Sequence, residues 1–413
     1  MSVAADDSGA RRAAERAARE SYGRLVAYLA SRSGDVAAAE DALAQAFAAA
    51  LRQWPVDGVP ERPEAWLHAV AKRRQVDEVR RLAGHDRLAA DWRVLWDEWL
   101  TEADDIPDRR ASLLFACAQD GIEPGIRAPM MLQTVLGFSA AEIAAAFLMA
   151  PGTLGQRMVR AKTRIKRAGL AFQIPDRTEL PGRVQSVLDA VYTAYNKGWG
   201  EPDHGAGVDL AEEAIWLAVV VVGLLPDEPE AKGVLSLMLY AEARRAARTN
   251  ADGDFVPLSE QDVRQWDARM IHMATQLLHT ANGESGSGRF QIEAAIQSAQ
   301  ISRRLGGAAR LDDIVQLYDL LAVVAPSPVV QLNRAMAIAQ RDGPAVALPL
   351  LDALERDDRM VTYQPYWAAR ADVCSALRLR DPALAAYRQA IGLSSHPAVR
   401  AWLQRQADAI GQV

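Results

Sequence analysis

The chain has 413 residues, half of them apolar, only two cysteines and a formal charge of -6. That length exceeds what one hydrophobic core usually supports, so two or three domains are expected. Two cysteines far apart exclude a disulfide framework or a cysteine metal cluster and fit a reducing compartment such as the cytoplasm, and the longest apolar run, Ala214 to Leu225, has twelve residues, short of the ~20 that cross a bilayer.

Charge is unevenly placed. Residues 1–170 carry 24 basic against 23 acidic side chains, which leaves -7 for the remainder. A first half with basic patches joined to an acidic second half suggests that the first half meets a polyanion. No strand-like alternation stands out, whereas Ala, Leu, Arg and Glu recur at helical spacing, so the expected fold class is all-α.

In chain order, the N-terminal stretch is charged throughout and lacks the apolar core of a signal peptide; it reads as a frayed or helical lead-in. A helical block follows from Ser21 to Trp54, interrupted by "SRSGD", where Asp35 can cap the next helix. That helix places Leu43, Phe47 and Leu51 inward and leaves Asp41, Gln45 and Arg52 on an outer face. The loop "PVDGVPERP" comes next, and then "EAWLHAVAKRRQVDEVRRLAG", an amphipathic helix starting after Pro63, with Leu67, Val70 and Ala71 buried. Trp92, Trp96 and Trp99 form an aromatic stripe ahead of the acidic run "TEADDIPD", which reads as a linker.

The segment "SAAEIAAAFLMAPGTLGQRMVRAKTRIK" is the most informative. Ser139 with Glu142 makes a capping box that starts a helix burying Ile143, Ala144 and Phe147. Pro151 cannot continue that helix, so "LMA" becomes a tight turn into a second helix, a helix-turn-helix arrangement. On the second helix Leu154, Met158, Ala161 and Ile165 fall on one stripe, expected to pack on the first helix and on the segment holding Met131 and Val135. Gln156, Arg157, Arg160 and Arg164 then face outward with the donor geometry for base edges in a major groove, and Lys162 and Lys166 can neutralise phosphates. From residues alone, a solvated basic face on an ordinary helical hairpin explains the window equally well.

In the acidic half, "SPVVQLNRAMAIAQRDGPAVALPLLDAL" and "YQPYWAARADVCSALRLRDPALAAYRQAI" both read helix, turn, helix. Aligning Pro344-Ala345 with Pro382-Ala383 gives an offset of 38 residues, near the period of ~34 in tetratricopeptide arrays. "TNADGDF" has oxygen ligands at alternate positions, but an EF-hand loop begun at Asn250 would need Gly and Glu where Phe255 and Gln261 stand, so it reads as a polar turn. His272 and His279 could share a helix face but have no third ligand nearby. No phosphate loop, nucleophile elbow or zinc-hydrolase motif is present, so neither an enzymatic activity nor a cofactor is expected.

The segments "AAEDALAQAFAAALRQWP" and "PEAWLHAVAKRRQVDEVRR" and the helix-turn-helix, in this order and spacing, resemble regions 2 and 4 of the extracytoplasmic-function sigma factors of bacterial RNA polymerase. "LMLYAEARRAARTNADGDFVPLSEQDVRQWD" and "LYDLLAVVAPSPVVQLNRAMAIA" resemble the branch with a C-terminal tetratricopeptide-like extension. The resemblance implies sigma region 2 at residues 1–85, an acidic linker at 86–108, sigma region 4 at 109–174 and a tetratricopeptide-like regulatory domain at 182–413. It implies that Glu40, Asp41 and Gln45 dock on the clamp helices of the polymerase β′ subunit, with the β flap as a further contact. Trp66, Arg74, Asp77, Arg80 and Arg81 would serve the −10 element, with "QWPVDGVPERP" beside an extruded base; Thr153, Gln156, Arg157, Arg160, Lys162 and Arg164 would serve the −35 element. Implied partners are polymerase core, promoter DNA and a regulatory protein or peptide on the C-terminal domain, with no membrane. Relatives carry a Cys-Cys-His-Pro run where this chain reads "CAQDGIEP", so no metal role is expected for Cys117. A polymerase-independent DNA-binding regulator and a tetratricopeptide-type interaction scaffold are the competing readings.

Overall fold

The computed structural model describes residues 3–33, 35–82, 110–119, 121–168, 179–200, 210–281 and 287–411. The regular structure among them is helical, and the isolated antiparallel bridge between Thr249 and Phe255 closes a turn. The fold is all-α. The chain divides into two compact units, Met1–Leu225 and Pro226–Val413.

The first unit opens with α1 (Val3–Ser33), α2 (Val36–Asp57) and α3 (Pro63–Leu82), which pack together as a three-helix block. Helix α2 starts where Asp35 Oδ1 accepts a bond from the Ala38 amide at 3.0 Å, satisfying one of the free amides of the first turn. The expected inward stripe needs one correction: Leu51 is 47% exposed, and Trp54, at 2%, fills the inward position. At about 100° per residue, Trp54 lies only about 20° from the direction of Leu43, whereas Leu51 lies about 80° away. The expected loop is also shorter, because α2 runs through Pro55 to Asp57. Trp54 anchors the turn that Pro55 would otherwise disrupt, and Gly58, at φ 85°, ends the helix by donating its amide to the Trp54 carbonyl at 3.0 Å. On α3, Leu67 and Ala71 are buried and Val70 is half-buried. The tryptophan stripe and the acidic linker lie outside the described residues.

The rest of the first unit comprises α4 (Arg110–Cys117), α5 (Pro124–Thr134), α6 (Ala140–Ala146), α7 (Pro151–Ala168), α8 (Leu180–Gly200) and α9 (Leu210–Leu224). Helix α8 lies on α5 and α9, and α9 also reaches α4, where Arg110 pairs with Glu213 and stacks 5.2 Å from the Trp216 ring. The close crossing of α8 and α9 depends on Gly198, where a Cβ would sit 2.5 Å from the Ala211 nitrogen. The apolar run in α9 is buried on one face only. Ala214, Leu217, Ala218 and Val221 face inward, while Trp216 and Val219 are 42% and 51% exposed. No helix among the described residues is long and apolar enough to cross a membrane.

The second unit stacks α10 (Pro229–Glu242), α11 (Ala268–Ala281), α12 (Arg289–Arg304), α13 (Leu311–Val324), α14 (Pro328–Asp342), α15 (Pro344–Leu354), α16 (Asp358–Val361), α17 (Gln364–Ala376), α18 (Arg380–Leu393) and α19 (Pro397–Gly411). Helices α14 with α15 and α17 with α18 form hairpins whose starts, Pro328 and Pro344 against Gln364 and Arg380, repeat at one interval. The cluster of Ala371, Ala386, Tyr387, Ala390 and Leu403 fills the α17–α18 hairpin and packs it against α19. Glu230 on α10 caps α12 from a distance in sequence: its two oxygens accept the Phe290 and Gln291 amides, each at 3.0 Å. The "TNADGDF" stretch is a polar turn in which Asn250 Oδ1 accepts from the amides of Asp252 and Asp254 at 3.0 and 2.8 Å.

Candidate nucleic-acid interface

Helix α6 begins with the expected capping box. Glu142 Oε2 accepts the Ser139 amide at 2.7 Å, and Ser139 Oγ accepts the Glu142 amide at 3.3 Å. The other carboxylate oxygen, Oε1, takes Lys197 of α8 at 2.8 Å. Desolvation pushes the Glu142 carboxyl up, but the Lys197 and Ser139 bonds outweigh it and hold it below the ordinary value. Ile143 and Ala144 are buried and Phe147 is half-buried. The connection to α7 turns at Leu148, whose φ of 51° lies in the left-handed region that a branched side chain seldom occupies.

Helix α7 is pinned by Leu154 and Met158, both buried, as are Met131 and Val135. Ala161 is half-buried, and the Ile165 side chain lies outside the described residues. This packing leaves Thr153, Gln156 and Arg160 exposed along one side. Arg160 donates from Nε to the Gln156 carbonyl within its own helix at 3.3 Å. Arg157 is half-buried, with Nη2 donating to Glu123 Oε1 at 2.5 Å just ahead of α5. A Cβ on Gly125 would sit 3.1 Å from that same nitrogen, so the start of α5 crowds the guanidinium. Lys162 is half-buried and donates to Glu40 Oε2 on α2 at 2.9 Å. The side chain of Arg164 lies outside the described residues.

On the three-helix block, Asp41 and Gln45 are exposed on α2, and Glu40 is half-buried against Lys162. Trp66 is half-buried, its ring edge-on to Trp54 at 5.5 Å, and Arg74 is exposed. The side chains of Asp77, Arg80 and Arg81 lie outside the described residues. Tyr22, stacked on Phe47 at 6.5 Å, has its hydroxyl pushed up to about 12 by burial and then by Glu40 and Asp41. Cys117, wholly buried at the end of α4, has its thiol raised to about 12, by burial first and then by Glu40, with Lys162 opposing.

Two partners escaped sequence reasoning. Glu123, which engages Arg157, sits just ahead of Pro124 at a helix start, a position where acids are common and carry no mark of a distant partner. Lys197, which engages Glu142, lies on a helix that reads simply as amphipathic. The exposed His272 and His279 bring no third ligand, and no group of three or more metal-ligating side chains occurs among the described residues.

A family model described as sigma-70 region 2 matches residues 18–84, which takes in α2, α3 and much of α1. This match supports a sigma-factor role in transcription initiation and implies binding to RNA polymerase core. A second model, described as a family of unknown function (DUF6596), matches residues 183–282. An uncharacterized protein of Rhizobium meliloti (strain 1021) is 32% identical over 385 residues, covering 90% of this chain and 89% of that protein. No solved structure matches the chain.

Proposed function

Because the chain belongs to one family with the Rhizobium meliloti protein and carries a sigma-70 region 2 domain, we propose that it is a sigma factor of the extracytoplasmic-function type. In this reading it directs bacterial RNA polymerase core to promoters through two readers and catalyses nothing itself. Its own C-terminal helical extension, tetratricopeptide-like in its hairpins, adjusts its activity and offers a surface to a regulatory protein or peptide. It works in the cytoplasm.

The observation that carries the proposal is the arrangement around α7. A capped α6, a tight turn and the buried Leu154 and Met158 hold α7 so that Thr153, Gln156 and Arg160 stand in solvent, within the same unit as the matched region 2. Exposed Arg and Gln on a fixed helix suit guanine and adenine edges in a major groove, and Arg157, Lys162 and Arg164 would add phosphate or base contacts. Asp41 and Gln45, with Glu40, would dock on the β′ clamp helices, the helix-turn-helix block would contact the β flap, and Trp66, Arg74, Asp77, Arg80 and Arg81 would serve the −10 element. The test is co-purification of the full chain with core polymerase, followed by run-off transcription from promoters selected by the holoenzyme. Transcription that needs Asp41 and Gln45 supports the reading. Core binding that survives reversal of their polarity would remove the docking assignment.

A further inference from the structure

We propose that helix α19 carries a docking site for a short acidic–aromatic segment, that the chain's own Asp254 and Phe255 occupy it in the free protein, and that a regulatory protein presenting the same pair engages the chain by displacing them. The regulatory consequence rests on the sigma-factor reading, while the docking site belongs to the second unit alone.

Stacked hairpins touch their neighbours in sequence. The connection between α10 and α11 departs from that rule and reaches α19. Arg405 Nη1 donates to Asp254 Oδ1 at 3.1 Å across 151 residues of sequence, and the rings of Phe255 and Trp402 meet edge to face, 5.9 Å apart at 80°. The seat is firm, because Trp402 packs on the cluster around Tyr387 and Leu403. The tip is equally firm. The Asn250 amide donates to the Asp254 carbonyl at 3.0 Å, the Val256 amide to the Arg248 carbonyl at 2.7 Å, and Gly253, at φ 81°, supplies the left-handed residue the turn requires. With Asn250 Oδ1 already holding the Asp252 and Asp254 amides, the turn is closed by its own bonds and keeps its shape without α19.

Two parts that each hold their own shape therefore meet through a small contact open to solvent, the Asp254 and Arg405 side chains being 38% and 50% exposed. An ion pair this open favours the seated state by up to about fivefold, and a ring pair adds roughly two- to twelvefold. That keeps the tip seated in the free chain yet lets a competitor remove it without unfolding either part. The seat also fixes what can replace the tip: the guanidinium asks for a carboxylate and the indole for an aromatic ring, on residues adjacent in sequence.

The test titrates a fluorescently labelled peptide of residues 249–258, TNADGDFVPL, with the full chain and follows anisotropy. The Asp254→Ala/Phe255→Ala chain, whose seat is vacated, should bind the peptide up to about sixtyfold more tightly than the parent, since the parent alone carries a competing copy. Should that chain fail to fold by circular dichroism, Asp254→Lys takes its place. In the vacated chain Arg405→Glu should weaken the peptide, and a peptide with Lys in place of Asp254 should recover the loss. No saturable binding to the folded vacated chain overturns the docking site. Equal binding by parent and vacated chains overturns its occupation by Asp254 and Phe255, and indifference to Arg405→Glu overturns the recognition of an acid. Added to the holoenzyme, the peptide should change run-off transcription in the same direction as the vacating substitutions. Binding with transcription unchanged would remove the regulatory consequence, and a chain that binds the peptide but not core polymerase would remove the sigma-factor reading; the docking site stands in both cases.

Discussion

Replacing Arg160 by Ala tests the proposed base reading by α7. Arg160 is exposed and bonds to a backbone carbonyl of its own helix, so its loss should not disturb the fold. A side chain that contacts a base edge is worth about 1–3 kcal/mol, which is about 5- to 150-fold in affinity. Arg157 should behave differently. To contact DNA it would have to leave Glu123, a pair whose side chains are 30% and 60% exposed and which is therefore worth up to about 1 kcal/mol. Arg157→Ala should then cost up to about fivefold less than Arg160→Ala, and Glu123→Gln should raise DNA affinity by up to about fivefold. Fluorescence anisotropy of the full chain on a selected duplex and on one altered at a single base pair, at constant salt, reads all three variants. If Arg160→Ala weakens both duplexes equally, base reading by α7 is refuted. If Glu123→Gln leaves affinity unchanged or lowers it, the competition argument fails.

Other perturbations reach the caps and the buried titratable groups. Ser139→Ala should cost about 1 kcal/mol by removing one half of the capping box, seen as a drop of about 2–4 °C in the melting temperature of the first unit, while Glu142→Gln keeps the cap and should cost less than Glu142→Ala. Glu230→Ala should destabilise the second unit by about 1–3 kcal/mol in urea unfolding, because it leaves the Phe290 and Gln291 amides without their acceptor. Cys117 should resist alkylation at pH 8 in the folded chain and react on denaturation, since a thiol raised to about 12 is only about one ten-thousandth thiolate at that pH. The raised groups also fix the sign of an alkaline effect: stability contributed by Cys117 and Tyr22, whose ordinary values are 9.0 and 10.0, is complete below about pH 9 and is lost as the pH rises towards 12, so melting temperatures should fall across that window.

What could be read from sequence was local. Asp35 ahead of α2, the reciprocal Ser139 and Glu142, the proline that starts α7 and the Leu154–Met158 stripe all act within a few residues, where helix geometry leaves little choice. Other signals misled for physical reasons. Pro55 signals a helix end but is overridden by tertiary packing of Trp54, and the i, i+4, i+8 spacing of Leu43, Phe47 and Leu51 drifts about 80° round the helix by Leu51, which carries that side chain off the inward face. The apolar run of α9 carried no periodic mark to separate the buried Leu217 from the exposed Trp216. Long-range partners such as Glu40 with Lys162, or Gly23 with the Val135 carbonyl, depend on how blocks come together, and no spacing rule reaches across that distance.

The grip of α8 on α6, through Lys197 and Glu142, decides where the gene should be cut. Ending the polypeptide near Pro181, where composition invites a boundary, would strip α8 and α9 from helices they cover and present raw apolar surface, so inactivity of that fragment would report damage rather than lost control. A stop codon after Leu225 keeps the whole first unit intact, and only a fragment of that kind can say what the downstream hairpins contribute to promoter choice.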